Sequence, residues 1–155
     1  MEHLPIMLNE VIDALSIKPD GIYVDGTFGR GGHSRAILDK LTTGHLIVFD
    51  QDERAIETAK LLSLEFPNKM TIIQSNFKNL NEMLDENKFK NIDGILLDLG
   101  VSSPQFDDPS RGFSYRFDTK LDMRMNLNQS LNAYQVINNY PFEKLMYIFQ
   151  VYGEE

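Results

Sequence analysis

No cysteine occurs among the 155 residues. That excludes disulfides and thiolate metal sites, and it fits a cytosolic protein, so a cytoplasmic location is expected and a metal centre is not. No apolar run approaches the roughly 18–20 residues that a membrane span needs. The opening Met1-Glu2-His3-Leu4-Pro5 lacks the basic and apolar regions of a signal peptide. Positive charge is scarce too. Lys and Arg number 15 against 23 Asp and Glu, a formal net charge of −8, which argues mildly against a general nucleic-acid binder. Internal repeats and low-complexity stretches are missing as well. What remains, 42% hydrophobic and 25% charged, is the composition of a soluble globular domain long enough to bury a core.

The chain is organised around Asp25-Gly26-Thr27-Phe28-Gly29-Arg30-Gly31-Gly32-His33. Apolar Ile22-Tyr23-Val24 leads into it and a helical pattern follows at once. Strand, glycine loop, helix is how open α/β sheets hold a nucleotide-like ligand at their carboxyl edge. Around it the periodicity predicts a first helix over Met7–Leu15 and strand one from Ile22 to Asp25. A helix from about His33 to Leu41 precedes strand two, His45–Phe49, which ends in Asp50. A helix from about Glu53 to Phe66 precedes strand three, Met70–Gln74. A short helix around Asn79–Asn87 precedes strand four, Ile92–Leu97, which ends in Asp98. Near-continuous apolar strands separated by helices indicate a parallel sheet covered on both faces.

After Gly100 the strand pattern stops. Turn formers fill Ser102 to Gly112. Two helices are expected beyond them, one capped by Ser130 and running to about Asn139, the other from Phe142 to Tyr152 between Pro141 and Gly153. A doubly wound sheet usually has more than four strands, so the chain reads as the front part of something longer.

The loop's spacing points to its ligand. A dinucleotide loop wants a third small position for close helix packing, and here it is Ser34. An acid four residues before Gly29, Asp25, is the pattern of S-adenosylmethionine sites. Asp50 stands about 20 residues beyond the loop, where such folds place an acid on ribose hydroxyls; a solvated strand-end acid is the alternative. Asp52 suits the N-cap of the next helix. Phe77 is placed either to stack on adenine or to fill the core. Asp98 is either a buried structural acid or an acceptor that turns the lone pair of an exocyclic amine toward a methyl donor. Two acids facing a glycine loop fit a cationic sulfonium better than a dianionic pyrophosphate. A nicotinamide-dependent oxidoreductase and a binding-only protein that self-associates, for instance as a homodimer through an open sheet edge, remain the rivals.

Three strings carry a resemblance: Val24–Ser34, Asp98-Leu99-Gly100-Val101-Ser102-Ser103-Pro104-Gln105, and Arg111-Gly112-Phe113-Ser114 with Leu121-Asp122-Met123-Arg124-Met125. Together they resemble the bacterial 16S ribosomal RNA cytosine-N4 methyltransferases, the RsmH (MraW) family, from His3 to the closing Tyr152-Gly153-Glu154-Glu155. The resemblance implies an α/β, Rossmann-like class I methyltransferase whose mostly parallel sheet is incomplete here. Residues 1–105 would form the S-adenosylmethionine-binding part, and 106–155 a loop-rich linker with the start of a helical substrate-recognition insertion. It implies methyl transfer to N4 of a cytidine in the decoding region of 16S ribosomal RNA, with the small ribosomal subunit as partner. Family cofactor contacts carried over fall on Gly31, Gly32, His33, Asp50, Phe77, Asp98 and Gln105, and the catalytic role falls on Asp98. His33 and Gln105 come from the resemblance alone; for His33 a backbone contact in the first helical turn is preferred to a general base. Family members continue well past this sequence, so a cofactor-binding but inactive fragment is a further alternative. Arg30, Arg35, Arg111, Arg116, Lys120 and Arg124 could meet phosphates, or pair internally with Asp107, Asp108, Asp118 and Asp122. Phe106, Phe113 and Tyr115 offer stacking surface for a splayed base.

Overall fold

The computed structural model describes residues 5–154. His3, Leu4 and Glu155 of the resembling strings, and the opening Met1–Leu4, lie outside the described residues. The chain divides into two compact units, one ending at Gly100 and one starting at Val101.

The first unit runs α1 (Leu8–Leu15), β1 (Ile22–Asp25), α2 (Gly32–Lys40), β2 (His45–Asp50), α3 (Glu53–Glu65), β3 (Met70–Gln74), α4 (Leu80–Glu86) and β4 (Gly94–Leu96). The four strands are parallel, in the order β3-β2-β1-β4. The pleat explains how continuous apolar runs serve two faces. Successive side chains point to opposite sides, so Tyr23, Leu46 and Val48 join α2 and α3 residues Ile37, Leu38, Ala55, Ala59 and Leu62 in one cluster. Val24, Ile47, Phe49 and Ile73 join Leu84 of α4 in the other. α3 begins where Asp52 accepts the Arg54 N–H at 3.1 Å, and the helix stops one residue before Phe66-Pro67.

β4 is shorter than the apolar run Ile92–Leu97 suggests, because polar groups close the ladder at both ends. Asp93 accepts the Ile22 N–H through its carboxylate at 3.0 Å and pairs with Lys18 at 2.7 Å. At the other end the Asp98 N–H donates to the Thr27 hydroxyl at 2.7 Å rather than to a strand carbonyl. Asp98 thus lies two residues beyond the strand, not at its last position.

β1 has β2 on one side and β4 on the other, so the direction of winding reverses between β1 and β4. At such a switch point the loops leaving the two strands diverge and open a crevice at the carboxyl edge. Asp25, Asp50, the turn after β3 and the segment after β4 all lie at that edge.

The second unit holds α5 (Ser103–Asp107), a 3₁₀ turn at Pro109–Arg111, α6 (Ala133–Asn139) and α7 (Phe142–Tyr152). The turn-rich stretch is therefore partly helical. Ser102 and Gln105 form a capping box that nucleates α5, and Asp108 caps the 3₁₀ turn by accepting the Ser110 N–H at 2.9 Å. Asn132, not Ser130, caps α6: its Oδ1 accepts the Gln135 N–H at 2.9 Å while Gln135 Oε1 accepts the Asn132 N–H at 3.0 Å.

Candidate functional site

The glycine loop is fastened on both sides before any ligand is considered. Gly26 N–H donates to the Leu96 carbonyl at 2.9 Å, and Phe28 N–H to the Phe49 carbonyl at 3.0 Å. Asp25 is buried and braces the loop from beneath. One carboxylate oxygen accepts the Thr27 N–H at 3.0 Å and the other accepts the Ser34 hydroxyl at 2.7 Å. Burial pushes its pKa above the usual carboxylate range, with the Ser34 and Thr27 donors working in the opposite direction. Ser34 at the third small position is thus the hydroxyl that satisfies a buried acid. Gly31 sits at φ 76°, and a Cβ there would come within 2.6 Å of the Phe28 ring. Neither demand can be met by a larger residue.

Gly31 is also the N-cap of α2, and no side chain caps that helix. The first-turn amides, at Gly32 and His33, are donors without an intrahelical acceptor, in a region of partial positive charge. His33 itself is buried, and its Nε2–H donates to the Ile6 carbonyl at 2.9 Å. With the imidazole so engaged, what His33 presents at the helix start is its backbone. A Cβ on Gly32 would run into the ring of Pro5, so the segment Pro5–Ile6 lies against this helix start.

Asp50 ends β2 and ties back to the loop. Its Oδ2 accepts the Gly29 N–H at 2.8 Å and its Oδ1 the Asp52 N–H at 2.9 Å. Desolvation raises its pKa, offset in part by those amides. A carboxylate offers about four lone-pair sites, which leaves room for an outside donor beside the Gly29, Asp52 and Gln51 amides. Phe77 opens the 3₁₀ turn Phe77–Asn79 after β3 and is 37% exposed, so it is not a core residue. It stands beside the loop: a Cβ on Gly26 would lie 3.4 Å from the Phe77 Cβ. Asp98 is exposed, not buried, and its backbone N–H is held by Thr27.

The structure therefore gathers Gly31, Gly32, His33, Asp50, Phe77 and Asp98 along one edge of one sheet. Gln105 belongs to the second unit, where it is buried and its Oε1 accepts the Ser102 N–H at 3.1 Å. Thr27 escapes sequence reading, since a threonine between glycines carries no signal of its own. The positive residues of the second unit are largely consumed internally. Arg111 is buried and donates to the Arg124 and Met125 carbonyls, both at 2.9 Å. Arg124 grips Asp122 through Nε and Nη2, both at 2.8 Å. Arg35 pairs with Glu65 on α3. Arg30 and Lys120 are exposed. Among the described residues no helix is long and apolar enough to cross a membrane.

Comparison with known proteins is consistent along the whole sequence. The profile of the MraW methylase family matches residues 1–155. Ribosomal RNA small subunit methyltransferase H of Ureaplasma urealyticum is 53% identical over 154 residues, covering 99% of this chain and 50% of that protein. The protein of the same name from Limosilactobacillus fermentum is 52% identical over 155 residues, covering 99% of this chain and 49% of its own. A solved structure from Clostridium thermocellum, described as an rRNA-methylase, aligns with a TM-score of 0.50 at 19% identity over 65% of this chain and 55% of that one. That likeness concerns the fold alone. The chain spans about half the length of the curated relatives it matches. A profile that runs from end to end, together with relatives identical at more than half their aligned positions, establishes that the chain belongs to the MraW methylase family.

Proposed function

We propose that this chain holds S-adenosylmethionine at the carboxyl edge of its sheet, and that the protein methylates N4 of a cytidine in the decoding region of 16S ribosomal RNA. The observation that carries the reading is the donor set at that edge: uncapped amides at the start of α2 next to two accessible carboxylates. Free amides suit the carboxylate of a methionyl group. Asp50 suits ribose hydroxyls, and carboxylates suit a sulfonium, whereas a pyrophosphate would meet repulsion from Asp50 and Asp98. Phe77 offers a ring face for adenine. When bound, the cofactor supplies an electrophilic methyl group on positively charged sulfur.

The protein's own contribution is then positioning and proton management. Asp98 would accept an N–H of the exocyclic amine, turning the nitrogen lone pair toward the methyl, and would draw off the proton displaced as the N–C bond forms and the methyl C–S bond breaks, its electron pair staying on the sulfur. The target base must leave its stack to reach an edge of this kind. Phe113, Tyr115 and Phe117 line a concavity of about 330 Å³ in the second unit, and Tyr115 is 96% exposed, which suits base stacking. On this reading residues 1–105 are the cofactor-binding part and 106–155 begin the insertion that recognises substrate, Gln105 closing the former. The RNA partner is the small ribosomal subunit and the setting is cytoplasmic.

The test is methylation of small ribosomal subunits by the complete gene product with labelled cofactor. Asp98→Ala should lower the rate at saturating cofactor by at least about 100-fold, within the range of general acid–base contributions. Asp50→Ala should chiefly raise the cofactor concentration required. Full activity of Asp98→Ala would overturn the role given to Asp98.

A further inference from the structure

Among the described residues, Thr27 joins the glycine loop to the segment after β4 through a side-chain hydrogen bond. Its N–H is held by the buried carboxylate of Asp25 at 3.0 Å, and its Oγ1 accepts the Asp98 N–H at 2.7 Å. Two residues on, Gly29 N–H is held by Asp50 at 2.8 Å. The loop is thus strung between acids on β1 and β2, while its own hydroxyl reaches across the switch point to Asp98, two residues beyond β4. The contact spans 71 positions in sequence, so nothing local enforces it. The Asp98 carboxylate is exposed, and the segment that carries it, Leu97–Gly100, has left the ladder. The Thr27 hydroxyl is the bond that fixes its backbone.

From this juxtaposition we infer that Thr27 is a positioning residue: its hydroxyl sets the placement of Asp98 relative to the cofactor loop. The inference rests on the methyl-transfer reading above. Of the cofactor contacts on that reading, the amides of α2, Asp50 and Phe77 are not bonded to the Thr27 hydroxyl and Asp98 is bonded to it only through its backbone N–H, so rate should fall further than affinity. Removing the hydroxyl frees Asp98 to wander by a fraction of an ångström or more. That matters to a step governed by alignment, and it matters little to binding.

The experiment compares wild type, Thr27→Val and Thr27→Ser in the complete gene product. Valine keeps the shape and deletes the acceptor; serine restores the acceptor. Single-turnover methylation of small ribosomal subunits, S-adenosylmethionine affinity by calorimetry and hydrogen exchange at the Asp98 amide are read for each. The valine variant should lose about tenfold or more in rate at saturating cofactor, keep its cofactor affinity within about threefold, and exchange the Asp98 amide faster. The serine variant should recover rate and amide protection together. A valine variant with wild-type rate overturns the inference, as does a rate loss cured by excess cofactor or a serine variant as slow as valine. Equal Asp98 exchange in all three variants overturns the tether itself. If exchange behaves as expected but wild type transfers no methyl group, the methyl-transfer reading fails, and with it the role given to Thr27; the intact exchange pattern marks which claim fell.

Discussion

The two units of this chain hold their shapes by different means. Every buried hydrophobic residue among those described lies in the first unit, between Tyr23 and Leu84. In the second unit the buried side chains are polar: Gln105, Arg111 and Ser114. The first is a close-packed core around a sheet; the second is a run of loops and short helices stitched by capping boxes, by Arg111 to two carbonyls and by Arg124 to Asp122, Leu127 and Gln129. A rigid scaffold can present loop amides and acids within tenths of an ångström of where chemistry needs them. A loop array adapts more readily to a large surface, which suits recognition of RNA rather than catalysis.

The largest effect that would break this contrast is in the core. Phe49→Ala should cost about 3–5 kcal/mol of global stability, as expected for deleting a fully buried aromatic ring, and urea denaturation of the first unit would show it. The matching change in the second unit, Arg111→Met, should be local. Losing charge-assisted bonds to the Arg124 and Met125 carbonyls costs about 1–3 kcal/mol each. It should expose to exchange the Met123 amide, which donates to the Arg111 carbonyl, while leaving the Val48 amide protected. An Arg111→Met variant that unfolded the sheet as well would erase the distinction.

A smaller pair of effects has opposite signs. Burial raises the pKa of Asp25 and Asp50 above the ordinary carboxylate value, so the folded state binds protons that the unfolded chain has already lost. Their contribution to stability is full below the unfolded value and is lost as pH rises through the raised folded values. Arg124 beside Asp122 lowers that carboxyl instead, so its contribution is present above the unfolded value and is lost as pH falls through the depressed one. Urea midpoints followed from about pH 3 to pH 7 should show Asp25→Asn removing a decline with rising pH. Asp122→Asn should remove a decline with falling pH. Parallel profiles would contradict both assignments.

Much of the first unit was legible in sequence because period and punctuation agree there. The near-continuous apolar run Leu46–Phe49, the cap at Asp52 and the stop at Pro67 mark out strand and helix, and the parallel sheet follows. The acids Asp25 and Asp50 could be placed at strand ends for the same reason, whereas Asp98 falls two residues past the end of β4. What a one-dimensional pattern could not carry was the direction of each hydrogen bond. That Ser34 serves Asp25, that Asp93 and Thr27 truncate β4, and that Phe77 stands exposed beside Gly26 all depend on residues distant in sequence. In the second unit the Ser102-x-x-Gln105 cap was a readable signal inside a stretch dominated by turn formers. The burial of Arg111 was not, since the basic loop looked equally suited to phosphates and to its own interleaved acids, and the partners Arg111 takes are the Arg124 and Met125 carbonyls.

The proposed S-adenosylmethionine site at the carboxyl edge of the sheet is open to calorimetric titration of the complete gene product. The expected result is one equivalent bound, with Asp50→Ala weakening affinity by about tenfold or more, the worth of a charge-assisted hydrogen bond, and no comparable binding of NAD. Absence of S-adenosylmethionine binding, or tight NAD binding in its place, would contradict it.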